Sequence, residues 1–350
     1  MIRQYGKSSA SNIRLKKSFF NENDMHVNAQ KNISVAYMQQ PKRLLCKNCN
    51  NKLKTSNDFV KNDVGFKICS VCSHLNGAHE DTQEFCDFVY TEEDGEDYAK
   101  VYEEVDIENY NYRLSTVYIP KAEFLYSSLL NDSVNPHEMS YLDFGGGVGY
   151  FVGALQKIGL KNIAATDVSE KQVQYGNSMI GCELSSVHEM NNTTELLRTC
   201  DANVVSMIGV LEHLSDPYEA LKSIRDNKNI QYLYISVPLF SLSVYLEIFS
   251  PTVYHRHLLG TGGHTHLYTQ ESLQHIINEF DFEISAEWWF GADMVDLYRG
   301  ILVQMHQNKC SNTALSNFQK MFMPIIDAMQ IEMDKKHSSS EVHMLLKKKL

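Results

Sequence analysis

Leu142-Asp143-Phe144-Gly145-Gly146-Gly147-Val148-Gly149 is the stretch on which the fold turns. The residues leading into its glycines, MSYLDF (139–144), read as a strand. Those after it open a helix running through Gln156. Glycines at such a junction let the chain turn sharply and let a ligand approach the backbone closely. The alternation continues outward. KNIAATDV is a second strand, and Ser169 caps a helix to about Met179. A third strand lies near 182–187, NVVSMIGV is a fourth, Asp216-Pro217 starts another helix, and IQYLYISV is a fifth strand. Strand–helix alternation of this kind predicts an α/β fold with a parallel sheet and helices on both faces.

Two acids refine the glycine loop. Asp143 stands at the strand end before the glycines, and Asp167 ends the next strand, where a carboxylate can accept hydrogen bonds from two ribose hydroxyls. No Gly-Lys-Ser/Thr follows the loop, which excludes an NTPase phosphate loop. An acid at position 143 would repel a pyrophosphate but can pair with an ammonium group. A nucleoside carrying a cationic amino-acid end, as in S-adenosylmethionine, satisfies both.

With these residues the sequence resembles the class I S-adenosylmethionine-dependent methyltransferases, in the group with an EHL-x-DP motif after strand four. The landmarks are YLDFGGGVGYF (141–151), AATDVS (164–169), GVLEHLSDP (209–217), YISVP (234–238) and HTHLYTQESL (264–273). The resemblance covers about 137 to 290. It implies a Rossmann-like seven-stranded sheet. It also implies that Asp143, Gly145 and Gly147 cradle the methionyl end and that Asp167, with Val168 beside it, holds the ribose. Glu189 and Met190 would flank the adenine. Gly209, Val210 and Glu212 would line the floor near the methyl group. For a hydroxyl acceptor the candidate bases are His213, His264 and His266, since histidine is suited to taking a proton near neutral pH. Glu212, His213 and His264 also resemble part of the metal site of small-RNA 2′-O-methyltransferases, with Gly209 where a further glutamate would stand.

Four of the eight cysteines form two pairs, Cys46-Lys-Asn-Cys49 and Cys69-Ser-Val-Cys72. That spacing predicts a structural zinc, because four thiolates close a tetrahedron and leave no position for water. Cys86, Cys182, Cys200 and Cys310 show no spacing. The predicted organisation is a mobile polar tail (1–40), a zinc ribbon (41–90), a helical connector covering the cofactor (91–135) and the methyltransferase domain (136–350). A helical insertion at about 293–334 is long enough to form a lid or a homodimer surface. Trp288, Trp289, Phe290, Asp293 and Asp296 form a cluster suited either to stacking on a sugar ring or to the core.

A zinc module followed by such a domain resembles bacterial enzymes that methylate sugars during polysaccharide assembly. The implied acceptor is a sugar-type small molecule or a lipid-linked glycan. The rivals are an RNA or small-molecule O-methyltransferase and a non-catalytic module that binds cofactor and protein. With 32 Lys+Arg against 43 Asp+Glu, the chain's net charge of −11 argues against nucleic acid. The charge is uneven. Residues 1–63 carry 12 Lys+Arg and 4 Asp+Glu, and residues 80–108 carry 13 Asp+Glu and one Lys. The basic block faces the acidic one or anchors an anionic ligand. No run reaches the roughly 18 apolar residues of a membrane span. The opening residues lack an apolar signal core, so the expected location is cytoplasmic.

Overall fold

A computed structural model of the chain describes residues 1–15, 22–90, 107–260 and 263–349. In chain order the N-terminal part holds β1 (Ile2–Tyr5), α1 (Ser9–Leu15), α2 (Asn23–Met38), β2 (Phe59–Lys61), β3 (Val64–Ile68), β4 (Leu75–Gly77) and α3 (Gln83–Tyr90). Helices α4 (Ile107–Arg113) and α5 (Ile119–Asn131) lead into the alternating region. That region comprises β5 (Tyr141–Phe144), α6 (Tyr150–Lys157), β6 (Ile163–Asp167), α7 (Glu170–Ile180), β7 (Ser185–Val187), α8 (Thr193–Thr199), β8 (Val204–Ile208), α9 (Pro217–Asp226) and β9 (Tyr232–Pro238). The chain ends with α10 (Leu242–Phe249), β10 (His266–Leu267), α11 (Gln270–Glu279), β11 (Phe282–Phe290), α12 (Asp293–Gln307), α13 (Asn312–Phe322), α14 (Ile326–Lys335) and β12 (Glu341–Lys348).

The central sheet runs β1-β11-β12-β9-β8-β5-β6-β7. Strands β9, β8, β5, β6 and β7 are mutually parallel, and β12 is antiparallel to both β9 and β11. Helices on both faces bury it, so β9 reads as a continuous apolar run, buried from Tyr232 to Val237. The local signals act as expected. Ser169 accepts from the Gln172 N–H, Asp216 from Glu219, and Thr269 with Ser272 forms a capping box.

Two expectations are corrected. The sheet has eight strands rather than seven, because β1 pairs in parallel with β11, from Ile2 opposite Ala286 to Tyr5 opposite Trp289. Residues 1–15 and 22–40 are therefore not a mobile tail. Helix α2 is equally integrated: Gln30 donates to the carbonyls of His255 and Leu258, and Asn23 to that of Thr252. The connector's first half, 91–106, lies outside the described residues, whereas 107–131 is helical. The insertion is helical over 293–335. No helix among the described residues is long and apolar enough to cross a membrane.

The cysteine module does not simply precede the α/β domain. Its antiparallel sheet, β10-β4-β3-β2, takes one strand from beyond residue 260. A buried charge pair reinforces the join, with Lys61 bound to Glu247. Phe66 and Leu75 share a core with Val244, Leu258 and Leu267.

Candidate functional site

A cavity of about 310 Å³ opens at the carboxyl ends of β5, β6 and β8, lined by Gly145, Gly147, Asp167, Val168, Met190, Gly209, Val210 and His213. A smaller one of about 80 Å³, lined by Asp143, Tyr118 and Tyr150 among others, adjoins it and shares Gly145, Gly147, Gln172 and Gly209. This is where ligands sit in open parallel sheets. The glycines are required by geometry. Gly145 has φ +70°, and a Cβ there would lie 2.6 Å from Val210 Cγ2. Gly147 has φ +52°.

Asp167 anchors the loop. One carboxylate oxygen accepts from the Gly147 N–H at 2.7 Å, and the other from the Ser169 N–H at 2.9 Å. Each oxygen keeps a second lone pair for a ribose hydroxyl. Burial raises its pKa, which those two N–H groups oppose. Asp143, 2% exposed, accepts from Ser206 Oγ at 2.7 Å. Burial pushes it up to about 7, with the Asp167 charge adding to the rise. A cationic ligand end would return it to the carboxylate form.

This gives a pH prediction. With the ammonium of the cofactor placed against Asp143, binding would require the ionised carboxylate, so affinity for S-adenosylmethionine is expected to rise from pH 6 to 8. The limit is about tenfold per pH unit below the pKa. Asp143→Asn should flatten that dependence in a titration by calorimetry; an unchanged slope would place the linked proton elsewhere. The sign for stability is opposite. A carboxyl whose pKa is raised on folding binds protons more tightly in the folded state, so the cofactor-free protein loses stability as pH rises through about 7.

The remaining candidates separate. His213 lines the larger cavity, and its ring lies 4.7 Å from that of His264. Glu212 Oε1 is 3.9 Å from Nε2 of each of these histidines. The three donor atoms lie within 4.8 Å of one another. Glu212 is 4% exposed and its Oε2 has no hydrogen-bond partner. His264 Nδ1 faces the His257 carbonyl at 3.2 Å, which assigns its hydrogen to Nδ1 and leaves Nε2 as the acceptor toward Glu212. Burial pushes Glu212 up to about 8 and His213 down to about 3, and lowers His264 well below its usual value. His266 faces the other way: its Nδ1 shares a 2.8 Å hydrogen bond with His74 Nε2 of the cysteine module. His266, Glu189, His264 and Glu212 do not line the two cavities, so of the Glu212–His213–His264 group His213 is the member at the cavity wall.

The sequence reading missed Gln172, His188 and Leu214 as cavity residues. His188, immediately before Glu189, is held by Thr166 Oγ1 at 2.8 Å and by its backbone N–H to Asp167 O. Leu214 and Asp216 sit inside the EHL-x-DP stretch, which was the available signal for this wall. The Trp288–Asp296 cluster belongs to the core. Trp288, Trp289 and Phe290 are at most 3% exposed, and Asp293 is consumed by Ser241, Ser243 and the Ser340 N–H. The sugar-stacking alternative for these residues is withdrawn.

Cys46, Cys49, Cys69 and Cys72 converge, with Cys46–Cys72 at 3.7 Å and Cys49–Cys69 at 3.6 Å between sulfurs. A tetrahedral zinc with bonds of ~2.3 Å requires about 3.8 Å. Side-chain amides of Asn76, Asn48 and Asn51 donate to Cys46, Cys72 and Cys49, which suits thiolates. The donor set and spacing fit such an ion.

Residues 119–287 match the family model described as a methyltransferase domain, just under half of the chain. No curated protein sequence matches it. Similar solved folds include magnesium protoporphyrin IX methyltransferase from Synechocystis PCC 6803 with bound SAH. That similarity has 12% identity and TM-score 0.47, over 74% of this chain and 97% of the other. Another is the plantazolicin methyltransferase BamL, at 13% identity and TM-score 0.44, over 75% and 94%. The matched domain, with its glycine loop and paired acids, makes this chain an S-adenosylmethionine-dependent methyltransferase. The matched span begins after the cysteine module.

Proposed function

We propose that the protein methylates a hydroxyl of a sugar-type acceptor, nucleotide- or lipid-linked, in surface-polysaccharide assembly, and that its four cysteines hold a structural zinc. The observation that carries the hydroxyl reading is the Glu212–His213–His264 group beside Gly209 and Val210. The sugar assignment rests on the resemblance of the whole arrangement, a cysteine module joined to an EHL-x-DP domain.

S-adenosylmethionine supplies an electrophilic methyl group. The chain's residues hold the two ends of the cofactor, at Asp143 and at Asp167, and His213 meets the acceptor. Positioning supplies much of the rate of an in-line displacement. A hydroxyl must also lose its proton, and of the neighbouring pair Glu212 is the stronger proton acceptor, because burial raises it while lowering His213. In this reading His213 accepts the hydroxyl hydrogen bond and its proton as the methyl group is transferred, and a small movement across the 3.9 Å gap hands that proton on to Glu212.

One observation favours a second reading. Glu212 Oε1 stands 3.9 Å from both imidazole Nε2 atoms, too far for hydrogen bonds, and Oε2 is unpartnered. Two imidazoles and a carboxylate around a gap suit a divalent cation that would orient the acceptor oxygen. One experiment separates the readings. Cofactor carrying a labelled methyl group is incubated with purified protein and separated pools of nucleotide sugars, lipid-linked glycans, RNA and protein. Label is expected in a sugar pool, unaffected by a chelator too large to reach the cysteine site, and reduced about 100-fold by Glu212→Gln. Label in RNA overturns the sugar acceptor. Loss with chelator, restored by a divalent cation and absent in His264→Ala, establishes the metal reading.

A further inference from the structure

Outside the methyltransferase site, a cavity of about 360 Å³ lies on the cysteine module, lined by Lys42, Lys67, His79, Thr55, Asn57 and Asp63 among others. It shares no residue with the cofactor cavities. Its floor is β3, where Gly65 and Lys67 point to the side opposite Phe66. Gly65 leaves the floor flat, and the Asn57 amide occupies the space a Cβ would need.

The charges in this cavity are unbalanced. Lys67 is only 7% exposed, yet no described carboxylate or carbonyl accepts from its ammonium. Lys42 is the charged side chain close enough to perturb it, and that effect is repulsive. Lys42 in turn donates to His79 Nε2 at 2.6 Å, an imidazole rather than a carboxylate. This bond fixes the Lys42 ammonium over the same cavity. Burial and both lysines hold His79 neutral. Asp63, on the β2–β3 turn, is the lining carboxylate, but among the described residues it makes no ion pair with Lys67. Two ammonium groups facing one cavity repel each other, and an anion entering between them relieves that repulsion. Lys42 belongs to the basic block of residues 1–63, so this cavity gives part of that block a destination.

We propose that this cavity is an anion-binding site separate from the methyltransferase centre, with Lys42 and Lys67 gripping a phosphate group and Asn57 and Thr55 contacting it from the rim. The ligand class is a phosphate ester or diphosphate, either free in solution or borne by a lipid headgroup. Two ammonium groups match a doubly charged oxyanion, and nothing in the lining demands a base or an aromatic ring.

The test uses the full-length, zinc-loaded protein saturated with S-adenosylhomocysteine, so that the cofactor cavity cannot take up the probe. Inorganic pyrophosphate is titrated at low salt, with Lys67→Met and Lys42→Gln alongside, and melting is followed with and without it. Saturable binding should weaken at least tenfold in Lys67→Met and decline with salt. Lys67→Met should melt no lower than the wild type without anion, because one of two mutually repelling charges is gone. Pyrophosphate should raise the wild-type melting point and leave that of Lys67→Met unchanged. A parallel arm uses phosphatidylglycerol–phosphatidylcholine vesicles. Lys67-dependent vesicle binding with weak pyrophosphate binding assigns the phosphate to a lipid. If neither probe binds, or if both bind Lys67→Met as well as wild type, the proposal is overturned.

Discussion

Asp167→Ala is expected to weaken S-adenosylmethionine binding by about 100- to 10,000-fold. The carboxylate presents a spare lone pair on each oxygen to the ribose hydroxyls, and hydrogen bonds to an ionised acceptor contribute about 1.5–3 kcal/mol each. Two such bonds give the stated range at ~1.4 kcal/mol per factor of ten. The same substitution releases the N–H groups of Gly147 and Ser169, so the loop should loosen as well. Asp167→Asn keeps the shape and one acceptor oxygen, and should lose less. Calorimetry with S-adenosylhomocysteine measures both. A change below about fivefold for alanine would mean that the ribose is held elsewhere, because one charged hydrogen bond alone exceeds that.

The second large effect is expected at the cysteine cluster. Cys72→Ser should lower bound zinc from one per chain to near zero and lower the melting point sharply. Structural zinc in small modules contributes apparent energies of about 10–16 kcal/mol at neutral pH. The loss should reach the chemistry although no cysteine lines the cofactor cavities. Asn48 Nδ2 donates to the Ser272 carbonyl at the start of α11, and His74 pairs with His266, two residues from His264. Loosening the module therefore shifts the base group while leaving Asp143 and Asp167 in place. We expect kcat/KM to fall about 100-fold, with S-adenosylhomocysteine affinity within about fivefold of wild type. Metal analysis and calorimetry on one preparation check this. A metal-free variant that melts like the wild type would exclude a structural zinc.

What was legible in the sequence was short-range. The glycine loop and the capping residues act within a few positions of their own partners, so their letters carry the message, and Asp143 and Asp167 are marked by their places at strand ends although their partners Ser206 and Gly147 lie 63 and 20 positions away. The cysteine spacing is likewise local within each pair. Helix α2 was missed for a specific reason: its buried face is Asn23, His26, Val27, Gln30, Ser34 and Tyr37. The spacing is helical, but most of the letters are polar, because Asn23 and Gln30 satisfy carbonyls of the distant 252–258 loop. Hydrophobic periodicity cannot register such a face. Strand β1 is four residues at a sheet edge, and only its partner β11 gives it a conformation. The Trp288–Asp296 cluster misled in the opposite sense. Its residue types suit a sugar, and only burial shows that they face inward. His213 and His264 lie 51 positions apart, and their meeting with Glu212 is a product of tertiary structure.

Strand β10 is two residues long, yet it closes the cysteine module's sheet along β4. Ahead of it, about two hundred residues must leave the ribosome before the edge of β4 acquires its neighbour. Until then the hydrogen-bonding groups of Leu75 and Asn76 face outward, and the module has metal ligands but an unfinished sheet. Its completion is tied to synthesis of the polypeptide past Leu267, after the glycine loop and the strands around it. A graft of residues 41–90 onto another protein would carry the four thiols but not the strand that covers them. Substitutions in β4 and in β10 must therefore suit each other, although the two strands lie far apart in the order of the chain's synthesis.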